Sequence, residues 1–332
     1  MKPNYCATLG ARSALVAFAL LIAPLTGEAQ APTKVWKVAV LMGGQPRSAA
    51  SVRALEQRLA ELGYVEGRNL VIDFRTAGGQ VDRLPALTAE LVGHRPDVLI
   101  VSSTQTALAA KNATQTIPIV LSGVGDPVGS GIVSSLGRPG GNITGASLLN
   151  AELSGKGLQL LKDAVPAVSR VAVLWDSGNR LHREVRTATE AAAVTLKVSL
   201  QFFDVRGPDD LPKVFDAIPR QQAAALLVLP DAITLAHRAP ILDFTARQRL
   251  PALYPFREMV DDGGLMCYGP NLVENSRLAA GYVDKIFKGA KAGDLPIAQA
   301  TKFDLVINLK TAKTLGLTIP QLLLLRADQV ID

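Results

Sequence analysis

The residues that could do covalent or metal chemistry are few and scattered. The chain has three His and two Cys, too few for a multi-His metal site, a Cys-based zinc cluster or a disulfide scaffold. His94, His182 and His237 each precede an Arg in a helical or turn context, the pattern of solvent-exposed surface histidines. Cys267 follows the strand-like Gly264-Leu265-Met266 with no His close in sequence, which fits a buried structural thiol better than a nucleophile. No G-x-S-x-G elbow, H-E-x-x-H pair or Walker A loop occurs. Gly123-x-Gly125-x-x-x-Gly129 resembles a dinucleotide fingerprint. It follows a fourth strand rather than a first, contains Pro127, and lacks the acidic residue expected about 20 positions on. It fits better a loop in which Gly lets backbone face a ligand. Asp126 then opens a turn, either as its cap or as the partner of a ligand amine. No catalytic residue, metal or cofactor is implied.

The elements that must position any site alternate strand with helix. Lys34–Met42 is a short β-branched run ended by Gly43-Gly44, as in a buried strand. Helical spacing follows over Ser48–Leu62, then strand Leu70–Phe74, helix Leu84–Val92, strand Val98–Val101, helix Thr104–Asn112 and strand Ile117–Leu121. The pattern restarts at Arg170: VAVLW at Val171–Trp175 mirrors VAVLM at Val38–Met42. Helix His182–Val194, strand Lys197–Phe203, helix Asp209–Ile218, strand Ala223–Leu229, helix Thr234–Arg249 and strands Pro251–Tyr254 and Leu265–Tyr268 complete it. A long helix over Asn271–Lys288, a strand at Leu305–Ile307 and a short helix at Leu309–Leu315 follow. Alternation of this kind means parallel sheets, here as two α/β lobes of one plan. The late strand can return to either sheet.

Open parallel sheets bind ligands beyond the C-terminal ends of their strands, and two facing lobes put both sets of ends on one cleft. That rule selects Gly44 and Gln45, Ser103, Thr104 and Gln105, and Gly125 and Asp126 in the first lobe. Ser103 or Thr104 would cap a helix whose free N–H groups suit a carboxylate. In the second lobe it selects Trp175, Asp176, Asp231, Tyr254 and Tyr268. Asp231 suits an ammonium group or a helix N-cap. Trp175 and Tyr254 suit an apolar or aromatic ligand part, with core packing the alternative for Tyr254. Arg257 suits an acid.

Composition and targeting bound the class. The 332 residues are 48% hydrophobic and 19% charged, enough for two cored lobes and against disorder. The net charge of +6 is spread along the chain with no Lys/Arg block, so nucleic acid is not an expected partner. Lys2 and Arg12, the apolar Ala14–Leu25 and Ala29-Gln30-Ala31 have the layout of a secretory signal peptide. The run is too short to span a bilayer comfortably, which takes roughly 20 residues. Cleavage after Ala31 would remove Cys6 and leave Cys267 alone.

Three segments carry a resemblance: Gly123–Val128 with Gly137–Gly145, then Gly263–Asn271, then Thr301–Ala312. With the signal peptide, the ordered set resembles the ABC-transporter substrate-binding proteins related to tryptophan/tyrosine-binding lipoproteins, over essentially the whole mature chain. The resemblance implies an α/β type I periplasmic-binding fold, two Rossmann-like lobes joined by a multi-strand hinge. It implies capture of a small solute, an amino acid or an aromatic or organic acid, and delivery to an ABC permease in the inner membrane. Cys6 lies upstream of the apolar run and no lipobox Cys follows it, which implies a diffusible periplasmic protein rather than a tethered one; a monomer is the default for the class. The expected organisation is a signal peptide at 1–31, a first lobe at 32–148 with a return segment of about 271–332, and a second lobe at 149–270. The alternatives are a periplasmic sensing subunit with the same two lobes, and an α/β enzyme. A two-lobed transcription regulator would carry a helix-turn-helix where this chain carries its signal peptide.

Overall fold

The computed structural model describes Met1 and residues 34–148, 151–300 and 302–332. The expected signal peptide beyond Met1, with Cys6, lies outside the described residues. The first stretch runs β1 (Trp36–Met42), α1 (Ala50–Glu61), β2 (Leu70–Thr76), α2 (Leu84–Gly93), β3 (Val98–Val101), α3 (Thr104–Ala113), β4 (Ile119–Gly125) and β5 (Ile143–Leu148). The second runs α4 (Ala151–Ala164), β6 (Arg170–Trp175), α5 (Leu181–Leu196), β7 (Ser199–Asp204), α6 (Leu211–Arg220), β8 (Ala225–Val228), α7 (Ala232–Ala236), α8 (Arg238–Arg247), β9 (Ala252–Tyr254), α9 (Arg257–Asp261) and β10 (Met266–Pro270). The end of the chain adds α10 (Leu272–Phe287), β11 (Ala298–Gln299), β12 (Phe303–Asn308), α11 (Leu309–Thr314), α12 (Gln321–Leu324) and β13 (Gln329–Ile331).

Two sheets result, in the orders β2-β1-β3-β4-β5-β11 and β7-β6-β8-β9-β10-β12-β13. Pairing is parallel throughout except between β10 and β12. The mirrored VAVLM and VAVLW segments occupy the same place in their sheets, each between the next two strands in sequence. Both are buried on both faces, as parallel strands require. In β1, Val38, Val40 and Met42 enter one core with α1 and α10, while Ala39 and Leu41 enter the other. In β6, Ala172 and Leu174 face one way and Val171 and Val173 the other.

The chain passes between the lobes three times: from β5 to α4, from β10 to α10, and from β11 to β12. Residues 271–332 therefore do not return to the first lobe as one piece. α10 lays Ala279, Ala280 and Val283 on the β1 core and β11 extends the first sheet. β12 then re-enters the second sheet antiparallel to β10, with Met266 opposite Ile307 and Cys267 opposite Val306. An apolar strand such as Leu305–Ile307 fits the interior of either sheet, and only the free edge of β10 decides between them. The helix expected over Thr234–Arg249 breaks at His237 (φ −105°, ψ 33°) into α7 and α8. β4 carries an irregularity between Ser122 and Val124, where Gly123 takes φ +79°. Gly tolerates that backbone, and the bulge turns the end of β4 toward the gap between the lobes.

Candidate functional site

The strand ends of both lobes enclose one cavity of about 620 Å³ of empty space, its open mouth included. The first lobe supplies its amides, hydroxyls and glycines. The Gly43 N–H donates to Ser102 Oγ (3.2 Å), which ties the end of β1 to the end of β3. Ser51 donates to Gln45 Oε1 (2.9 Å), leaving the Gln45 amide nitrogen as a donor. Ser103 is the N-cap of α3: its Oγ accepts from Thr106 N (3.2 Å), and Thr106 Oγ1 accepts from Ser103 N (2.9 Å). The first amides of α3, those of Thr104 and Gln105, precede any helical acceptor and belong to residues on the cavity wall. The wall is completed by Ser122 and Ser276, whose hydroxyls meet at 3.4 Å between β4 and α10.

The second lobe supplies a buried carboxylate and apolar side chains. Asp231 caps α7, Oδ1 accepting from Ile233 N (2.7 Å). Its Oδ2 accepts from Asn179 (2.7 Å) and, across the cleft, from Gln105 Nε2 (3.1 Å). Both meanings of Asp231 thus coexist, a helix cap and a polar group aimed at the ligand space. Behind it, His182 is fully buried, not at the surface as its Arg neighbour suggested. Asp176 N donates to its Nδ1 (2.8 Å), and its Nε2 lies 3.1 Å from Pro230 O. Through its two ring nitrogens His182 pins the loop after β6 to the loop after β8. Asp176, also buried, accepts from Gly178 N (2.7 Å). Burial first, and the Asp231 charge second, push its carboxyl above the ordinary range. Leu181, Leu235 and Phe256 complete this wall, with Leu148 and Leu272 facing them from the first lobe.

The lobes touch. An added Cβ on Gly44 would run into the carbonyl oxygen of Ala232, and one on Gly43 into the Ala232 side chain. Arg180 of the second lobe reaches Ser130 O of the first (3.4 Å). The structure is that of a closed cleft.

Of the residues selected from the sequence, Gly44, Gln45, Ser103, Thr104, Gln105, Gly125 and Asp231 line the cavity. Six do not. Asp126 caps its own turn, Oδ1 accepting from Val128 N (3.2 Å) and Gly129 N (3.0 Å). Asp176 lies behind Asp231. Trp175 packs edge-on against Phe202 with Arg186 over its ring (4.9 Å). Tyr254 is a core residue, its hydroxyl on Thr245 (2.9 Å), and burial raises its pKa. Arg257 pairs with Asp261 at the surface (3.1 Å). Tyr268 packs against Phe303. Cys267 is buried, its thiol pushed up to about 12 mainly by burial, as a structural Cys should be. The residues missed are those that reach the cleft from elsewhere: Ser51 on α1, Ser122 one step before the bulge, Asn179 and Leu181 after β6, Phe256 past β9, and Leu272 and Ser276 on α10. Phe256 was within reach of pattern, two residues beyond Tyr254 and past Pro255. The α10 pair carried no signal, since the sequence does not show which lobe α10 joins.

Residues 37–331 match the family described as ABC transporter substrate binding protein. A tyrosine-binding protein of Clostridioides difficile (strain R20291) is 27% identical over 271 residues, 80% of this chain and 75% of that protein. The crystal structure of a conserved domain protein from Vibrio cholerae is 30% identical, covering 90% of this chain and 100% of that one at a TM-score of 0.83. The ABC domain from Streptococcus pneumonia in complex with L-Trp is 25% identical, covering 89% and 99% at a TM-score of 0.82. The two α/β lobes are of the type I periplasmic-binding class.

Proposed function

The chain belongs to the ABC transporter substrate-binding protein family, and from that premise we propose that it is the receptor of an ABC importer. It takes one small amino acid or organic acid into the cleft, closes over it, and presents it to a membrane permease. The opposed polarity of the two walls carries this reading: the α3 N-terminus in one faces the Asp231 carboxylate in the other. A ligand carboxylate suits the first. A ligand ammonium suits the second, taking the place of the Gln105 amide. Phe256 and the surrounding leucines suit an apolar or aromatic side chain. The L-Trp in the Streptococcus structure and the tyrosine in the name of the Clostridioides protein support aromatic amino acids as the first class to try. The layout of residues 1–31 supports export, and the described helices include none long and apolar enough to cross a membrane. The working unit is one chain, since the cleft is built from its two lobes alone.

The test is thermal shift against amino acids and aromatic and aliphatic acids, using protein stripped of co-purified ligand by unfolding and refolding. A ligand at about 100 times its Kd adds about 2.7 kcal/mol, a rise of roughly 5–10 °C in Tm for lobes of this size. A hit recovered chemically unchanged supports the receptor. A hit that is converted overturns it in favour of an enzyme, and no shift across the panel overturns the ligand class.

A further inference from the structure

Closure brings two carboxyl groups together at the lobe boundary. Asp126 stands just past β4 in the first lobe, and Glu184 in the first turn of α5 in the second. An added Cβ on Gly129 would collide with both Asp126 Oδ2 and Glu184 Oε1. The two oxygens thus crowd one point, over a residue with no side chain to keep them apart. Asp126 Oδ1 is committed to the amides of Val128 and Gly129, so Oδ2 is the oxygen left facing Glu184. Two carboxyl groups bond only if one of them holds a proton.

The cations nearby bond the backbone carbonyls of the same loop, pair with another carboxylate, or stand in solvent as Glu184 does. Lys111 of α3 donates to Gly131 O (2.6 Å). Arg180, just before α5, reaches Ser130 O. Arg183 stands on the exposed face of α5 beside Glu184, and Arg186 is paired with Glu190 (2.8 Å). Glu184 is itself exposed, and the approach of Asp126, chiefly as a hydrogen-bond partner, holds its carboxyl above its ordinary range.

We propose that Asp126 and Glu184 form a proton-operated latch on the cleft: closing takes one proton from solvent onto Glu184, which then donates to Asp126 Oδ2, and opening releases it. The latch rests on the reading that the lobes open and close over a solute. A carboxyl whose pKa is raised only in the closed form favours closure fully below its ordinary pKa. That contribution is lost as pH rises through the raised value. One linked proton changes the closed-to-open ratio by at most about tenfold per pH unit. The receptor therefore grips more tightly in acid and releases more readily toward neutrality.

Small-angle scattering of the ligand-free protein at about pH 5 and about pH 7.5, on either side of a raised carboxyl pKa, tests the latch. The wild type is expected to be more compact in acid. Glu184→Gln, whose amide donates to Asp126 with no added proton, is expected to be compact at both. Asp126→Asn, which keeps the Oδ1 acceptor of the turn, should match it. A wild-type radius that does not respond to pH overturns the latch. So does a Glu184→Gln protein that still responds, because His237 Nε2 is also enclosed without a partner next to Gly79 of the first lobe and that variant leaves it untouched. A second arm adds saturating L-tryptophan. Compaction with L-tryptophan but not with acid overturns the latch alone, and compaction with acid but not L-tryptophan supports the latch while counting against the ligand class. Compaction with neither overturns latch and closing cleft together.

Discussion

The two walls of the cleft come from sheets whose first five strands have the same order, yet they are chemically opposite. The first lobe meets the ligand space with glycine backbone, hydroxyls, amides and a helix N-terminus. The second meets it with a buried carboxylate, a buried histidine behind it and apolar side chains. Shared topology sets where strand ends point, and the residues just past those ends set what they offer. The first wall is the plainer because the lobes meet there: Gly43 and Gly44 lie against α7, where side chains have no room.

The largest way to break the contrast is Gly44→Ala. Gly44 is outside the positive-φ region, so alanine strains nothing until the lobes close onto Ala232 O. Affinity for a thermal-shift hit should fall by up to about 100-fold by calorimetry, since overpacking costs up to about 3 kcal/mol. Tm of the ligand-free protein should barely move. A variant that binds normally would mean the closed form is not the bound form.

Asp231→Asn probes the second wall next. Asparagine keeps the cap on α7 and removes the charge, so an ammonium ligand should lose about 10- to 100-fold in affinity, the size of a charge-assisted hydrogen bond. Unchanged affinity would erase the electrostatic difference between the walls. Ser103→Ala probes the first wall through its cap. It should cost about 1 kcal/mol, a fall of roughly 2–4 °C in Tm, with a few-fold loss of affinity as the start of α3 frays.

Asp176→Asn separates support from contact. Asparagine keeps the acceptor for Gly178 N and removes a carboxyl whose pKa burial has raised. The stability such a carboxyl contributes is present below its ordinary pKa and lost as pH rises through the raised value. The variant should therefore melt at or above the wild type near neutral pH, and the gap should narrow in acid, as a fluorimetric pH series would show. Arg257→Ala should do least: its exposed pair with Asp261 is worth less than about 0.5 kcal/mol, and calorimetry should find affinity unchanged. A large loss would move the second wall outward to α9.

Legibility in the sequence followed locality. Strands such as Val98–Val101 and the start of α3 at Thr104 were readable from short apolar runs and a Ser/Thr cap, because strand burial and capping are decided by neighbours in sequence. Trp175 and Tyr254 were selected as strand-end aromatics. At a strand end one residue points into the cleft and the next into the core, and register alone cannot say which. His182 read as surface from its Arg neighbour. In the fold it lies on the inward side of α5, where an amide at one loop and a carbonyl at another hold it.

The amino-acid sequence by itself determined two repeated α/β units and strand ends facing a shared ligand space, because periodicity and turn chemistry are properties of short segments. Only the tertiary structure decided that α10 crosses to the first lobe while β12 and β13 stay with the second, that Gln105 reaches Asp231 across the cleft, and that Asp126 meets Glu184. Those pairings join residues tens to more than a hundred positions apart. The free energy that selects them comes from burying faces against one another, which no local stretch of sequence contains.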